Sequence, residues 1–152
     1  MTEVRVDHAS IEDAAVVIDL VERLLRELGG FAFDKEGATR LCEQLLATGR
    51  YTALLARDAE GSALGVLTLH ESSALYVVGK LGWIQEFYVV PEARSLGVGH
   101  LLAEEATRCA RERGWSRLEV NTPNAQEWPR TVAFYRREGF EGGSYHLRKF
   151  FA

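Results

Sequence analysis

Apolar positions along the chain recur with two different periods, and the switches between them mark the elements. Val4-Arg5-Val6 alternates as a short first strand, after which Ile11, Ala14, Ala15, Ile18, Val21, Leu24, Leu25 and Leu28 repeat at helical spacing. Ser10 stands where a helix cap belongs and Asp13 takes the capping-box position, with Asp in place of the usual Glu or Gln. Gly29-Gly30 stops that helix, Phe31-Ala32-Phe33 forms a loop, and Asp34 opens a second helix whose apolar face is Ala38, Leu41, Cys42, Leu45 and Leu46. Tyr51 to Arg57 reads as a strand, Asp58 to Gly61 as a turn and Ala63 to Leu69 as the returning strand. Glu71-Ser72-Ser73 breaks the pattern, and the short apolar run Leu75 to Val78, bounded by Gly79 and Gly82, reads as loop. Trp83 to Val90 is apolar on both faces and rich in aromatic and β-branched residues, which suits a central strand covered on both sides.

Pro91 ends that strand, and the helical stripe Val98, Leu101, Leu102, Ala106, Cys109 and Ala110 follows, stopping at Gly114. Arg117 to Asn121 alternates as the next strand. Pro129 is placed as the first residue of a last helix closed by Gly139, and Tyr145 to Phe151 is predicted as a terminal strand. The predicted order is β-α-α-β-β-β-α-β-α-β-β. It implies an α+β fold, an α/β sandwich with a mixed, mostly antiparallel sheet and one right-handed parallel crossover.

The turn between the central strand and its helix carries the first chemistry. In Arg94-Ser95-Leu96-Gly97-Val98-Gly99 the glycines permit close backbone approach, and the first N–H groups of the helix have no partner within it, so an anion fits there. Arg94 adds a charged fork suited to phosphate. The same glycines would also serve a tight turn alone. No G-K-[ST] follows, which removes a magnesium-nucleotide loop, and Ser95 and Leu102 occupy two of the glycine positions of a dinucleotide loop.

Composition narrows the classes further. The 152 residues are expected to form one domain, 1–152, able to bury about two-thirds of the surface of the unfolded chain. A net charge of −4 gives no support to nucleic-acid binding, which needs a basic face. The two cysteines, Cys42 and Cys109, lie on apolar helical stripes and read as buried thiols. His8, His70, His100 and His146 show no metal-ligand spacing, so no metal is expected. Without a secretory signal or an apolar run long enough for a membrane, the chain reads as cytoplasmic, and a homodimer is compatible with it.

Two stretches carry a resemblance. Tyr88-Val89-Val90-Pro91-Glu92-Ala93-Arg94-Ser95-Leu96-Gly97-Val98-Gly99, followed downstream by Ala133-Phe134-Tyr135-Arg136-Arg137-Glu138-Gly139-Phe140, resembles the GNAT superfamily of acetyl-coenzyme A-dependent N-acetyltransferases. The first matches the family's R/Q-x-x-G-x-G/A pyrophosphate loop, and the second its F-Y-x-x-x-G-F helix. The resemblance implies acetyl-coenzyme A as co-substrate. It also implies contacts to the coenzyme from Phe87, Tyr88 and Val89 along the strand, and from Arg94, Ser95, Leu96, Gly97, Val98, Gly99 and His100 at the helix start. It places Tyr135 near the sulfur as general acid. One departure is that Trp128 stands where many relatives carry a pantetheine-contacting Asn; Asn124 is the candidate replacement.

Amide formation on a thioester needs a neutral amine, donors for a developing oxyanion and a proton for the thiolate. Backbone N–H groups of the central strand serve the oxyanion. Glu86 is the first candidate base, since a carboxylate between Ile84 and Tyr88 on a buried strand is costly without a partner or a task. A salt bridge to an arginine is the competing reading; Glu119 and a water-mediated base are the alternatives. Glu71, Glu86, Glu127 and the net charge point to a small cationic primary amine as acceptor, with Phe31 and Phe33 as candidate contacts. A non-catalytic acyl-coenzyme A-binding module would share the loop and the fold.

Overall fold

The computed structural model describes residues 3–30, 32–122, 124–143 and 146–151. Five strands form one sheet in chain order: β1 (Arg5–His8), β2 (Tyr51–Arg57), β3 (Ala63–Ala74), β4 (Gly79–Val89) and β5 (Leu118–Val120). The first four are antiparallel and β5 joins β4 in parallel, so the mixed, mostly antiparallel sandwich expected from the element order is what forms. Residues Ala53 to Ala56 and Val66, Leu67 and Leu69 have no exposed surface. Consecutive residues cannot all be buried unless both faces of the sheet are covered.

Helix α1 (Ala14–Glu27) and helix α2 (Lys35–Ala47) pack on one another and on one face, and α3 (Val98–Glu112) crosses the other. The entry to α1 follows the capping pattern, with Ser10 N–H donating to Asp13 Oδ2 at 2.9 Å. Asp34 Oδ1 accepts from Gly37 N–H at 2.9 Å and caps α2. Leu41, expected on the buried face of α2, is 53% exposed. It stands instead at the rim of a cavity described below. Among the described residues no helix is long and apolar enough to cross a membrane.

Two segments depart from expectation. Glu71, Ser72 and Ser73 do not interrupt β3, because the hairpin ladder continues past the core to Ala74 opposite Gly79. Leu75–Val77 then makes a single 3-10 turn, with Val78 left-handed at φ 54°. Main-chain bonding to β4 carries these polar residues in the strand, where they are half-buried or exposed. At the other end, helix α4 (Pro129–Arg137) closes with Phe140 N–H donating to Tyr135 O at 2.9 Å. The predicted terminal strand is absent from 146–151, where Leu147, Phe150 and Phe151 lie exposed. Tyr145 and Phe31 fall outside the described residues.

Candidate active site

Strands β4 and β5 pair only from Gly82 to Ile84, opposite Leu118 to Val120, and beyond that β4 continues alone to Val89. Register in β3 and β4 shifts between the pairs Leu67↔Phe87 and Leu69↔Ile84, a bulge that adds a residue to β4 just where the two strands part. Glu86 N–H donates to Thr68 Oγ1 at 2.9 Å and Val90 N–H to Leu64 O at 2.9 Å, both toward β3. Peptide groups alternate along a strand, so the N–H groups of Phe87 and Val89 face the opposite edge, into the gap.

On the α3 side of this gap sits an aromatic cluster. The Phe87 ring meets Phe134 edge-on at 5.5 Å and Tyr135 at 6.1 Å, and Tyr135 meets Phe140 at 5.4 Å. Tyr135 is buried, and burial alone pushes its phenol above the ordinary value. The hydroxyl therefore keeps its proton at neutral pH and has no hydrogen-bonded partner among the described residues.

The loop into α3 is a 3-10 turn over Pro91–Leu96 ending at Gly97, whose φ of 77° is the left-handed conformation that a side chain resists. Val98, the first residue of α3, is wholly buried. Gly99 has a packing reason as well as a ligand one: a Cβ there would lie 3.2 Å from Phe134 Cε2. Ser95 and Leu96 are exposed. Two side chains take other work than the sequence suggests. Arg94 is not an open fork: its Nε donates to Val89 O at 2.9 Å, its Nη2 to Glu27 Oε2 at 2.6 Å, and its guanidinium lies over the Tyr88 ring. It ties the loop to α1. The His100 imidazole lies 3.0 Å from both Glu138 carboxylate oxygens, and that carboxylate raises its pKa.

On the opposite face of β4, Glu86 closes the strand end of a cavity of about 200 Å³ between α1, α2 and the sheet. Val17, Ile18, Val21, Phe33 and Leu45 give it apolar walls. Tyr51 Oη donates to Glu86 Oε1 at 2.7 Å, and Thr68 Oγ1 bonds the same oxygen. Oε2 takes no bond from the described residues. The competing salt bridge is thereby excluded among them: Glu86 is held by two hydroxyls, not by an arginine. Burial, then the nearby Glu86 charge, pushes the Cys42 thiol in this wall up to about 11, so it stays protonated. Tyr51 and Thr68 are the partners of Glu86 that the sequence reading did not single out; the signal available in the chain was a threonine inside an apolar strand, and it is 1% exposed.

The other candidates lie elsewhere. Glu119 is on β5 opposite Trp83, with Oε2 buried and without a hydrogen-bond partner among the described residues. Glu71 bonds Trp115 Nε1 at 2.9 Å and pairs with Lys80, which fastens the hairpin base rather than facing the cavity. Asn124 Oδ1 accepts from Gln126 N–H at 2.7 Å, a local turn contact.

Comparison with known proteins gives concordant matches. The family model described as acetyltransferase (GNAT) domain matches residues 49–142. The chain is 28% identical over 142 residues to an aminoalkylphosphonate N-acetyltransferase of Salmonella typhimurium strain LT2, covering 93% of this chain and 88% of that protein. Among solved structures it is similar to an integron cassette protein from the mobile metagenome of Cole Harbour Salt Marsh. That match has a TM-score of 0.81 and 27% identity, over 97% of this chain and 90% of that one. It also shares its fold with a predicted acetyltransferase from Clostridium acetobutylicum, solved with acetyl-CoA, at a TM-score of 0.81, 18% identity and coverage of 97% and 96%.

Proposed function

From the premise that the chain belongs to the GNAT acetyltransferase family, we propose that it transfers the acetyl group of acetyl-coenzyme A directly to a small primary amine held against Glu86. The observation that carries this reading is the position of Glu86. It ends an apolar cavity on one face of β4, at the bulge where β4 leaves β5, while Tyr135 stands beside Phe87 on the other face. Acceptor and thioester would thus meet through the split in the sheet.

In this reading the pantetheine arm runs along the free edge of β4 beside Phe87, Tyr88 and Val89. The pyrophosphate sits at the N–H groups of Val98, Gly99 and His100, where the helix offers unpaired donors. Gly97 turns the chain into that position. The amine nitrogen attacks the thioester carbon as its proton passes to Glu86, directly or through a water. Negative charge on the carbonyl oxygen is met by main-chain N–H groups in the gap, those of Phe87 and Val89 being directed there. The C–S bond then breaks and Tyr135 gives its proton to the departing thiolate.

The apolar walls favour an acceptor with a hydrocarbon body, and the one carboxylate favours a single cationic head. The Salmonella relative is named for an aminoalkylphosphonate, an amine on an alkyl chain that also bears an anionic phosphonate; its amine and alkyl parts match that pattern. The test is a screen of primary amines with acetyl-coenzyme A, reading free thiol. Amine-dependent thiol release that rises with alkyl length is the expected result. Release only with hydroxyl acceptors would overturn the reading.

A further inference from the structure

Away from the cavity at Glu86, three ligand-type atoms from two elements converge beside α3. His8 ends β1, while Glu105 and Cys109 stand one helical turn apart on the same side of α3. His8 Nε2 lies 2.7 Å from Glu105 Oε2 and 3.7 Å from Cys109 Sγ, and Sγ lies 3.9 Å from Glu105 Oε2. We propose that His8, Glu105 and Cys109 form a binding site for a divalent transition-metal ion, with zinc the best match to the donors and the fourth position open to water.

Geometry and chemistry both support it. A tetrahedral zinc with ordinary bond lengths keeps its nitrogen and oxygen ligands about 3.4 Å apart and its sulfur about 3.5 Å from each. The tripod reaches that shape if His8 and Glu105 part by about 0.7 Å and the sulfur closes by a few tenths of an ångström. Imidazole, carboxylate and thiolate together suit zinc and its neighbours, not magnesium or calcium. Cys109 is 1% exposed and forms the floor, while the His8 side chain is 42% exposed at the mouth and Glu105 19%, so an ion can enter from the histidine side. Arg108 holds the Glu105 carboxylate at both oxygens, Nε donating to Oε1 at 2.8 Å and Nη2 to Oε2 at 2.5 Å; a metal would displace the second bond, and the first would steady the carboxylate as Oε2 turns. On binding, the Cys109 Sγ–H proton leaves to solvent, and thiolate and carboxylate balance the dication.

The test is a cobalt(II) titration of the untagged chain. One equivalent should bind and give the thiolate-to-cobalt charge-transfer band in the near ultraviolet, and zinc should displace it. Cys109→Ala should abolish the band, His8→Ala should weaken binding by more than about 100-fold, beyond the loss typical of an outer contact, and Cys42→Ala should leave it intact. Absence of the band, or its survival in Cys109→Ala, would overturn the proposal. Circular dichroism of the metal-free variants checks folding. Should Cys109→Ala not fold, His8→Ala decides: unchanged cobalt affinity in that surface variant overturns the site.

Discussion

Thr68→Val isolates what holds Glu86 in place. The two side chains have the same shape, so no cavity opens, and only the hydroxyl is lost. That hydroxyl does two jobs: it donates to Glu86 Oε1 and accepts from Glu86 N–H at 2.9 Å. Losing the acceptor strands a main-chain donor inside the bulge, which costs about 1–3 kcal/mol. Losing the bond to the carboxylate costs about 1.5–3 kcal/mol where no water replaces it, and Tyr51 still bonds the same oxygen at 2.7 Å. Because Glu86 is only partly buried, water recovers part of the second contribution, and the expected loss is about 2–4 kcal/mol. Urea unfolding reads it as a lower midpoint at unchanged slope. The turnover number should fall as well, since the carboxylate is no longer aimed. A stability loss below about 0.5 kcal/mol, within the range of an ordinary surface change, would refute the claim that Thr68 positions Glu86.

Three further outcomes follow from the same geometry. Tyr135→Phe keeps the ring in its aromatic cluster, so coenzyme affinity should persist while the turnover number falls about 10²- to 10⁴-fold; near-normal turnover, with chemistry rate-limiting, would return Tyr135 to a packing role. Gly82→Ala places a Cβ 2.3 Å from Trp115 Cζ3 at the first β4–β5 pair, Gly82 opposite Leu118, and thermal unfolding should report a loss of about 1–3 kcal/mol or more. His100 has its pKa raised by Glu138, so its contribution is fully present below the unfolded value of 6.5 and disappears as pH rises through the folded value. The melting-temperature difference between wild type and His100→Asn should therefore be larger at about pH 5.5 than at about pH 9, and a difference independent of pH would contradict that linkage.

Much of the architecture was legible because local rules and burial agree. The caps at Ser10 and Asp34, the glycine turn at Gly97 and the hairpin strands Tyr51 to Arg57 and Ala63 to Leu69 all read directly from the chain. Glu71 to Ser73 misled because hydropathy registers burial, whereas this part of β3 is held by main-chain pairing beyond the core. The terminal strand failed over 146–151 for the converse reason: strand-like residues need an edge to pair with, and a sequence pattern does not supply one. Within the site, Glu86 and Tyr135 stood out as a costly carboxylate on a buried strand and a tyrosine in a specific motif. Tyr51 and Thr68 did not, since their role depends on register across three strands. The ion pair of Arg94 was not legible, because the carboxylate it meets, Glu27, is 67 residues away. The meeting of His8, Glu105 and Cys109 was illegible for the same reason: spacing along the chain cannot detect side chains separated by 97 and 101 residues.

Direct transfer to an amine beside Glu86 is tested most sharply by following an isotopically labelled acetyl group. Wild-type protein, labelled acetyl-coenzyme A and the best primary amine of the screen are mixed, and mass spectrometry tracks the label in amine and protein, with Glu86→Gln in parallel. The label should pass to the amine nitrogen without accumulating on the protein, and Glu86→Gln should bind the coenzyme normally yet form product about 10²-fold or more slowly. Label retained covalently on the protein, or equal product formation by Glu86→Gln, would contradict the mechanism.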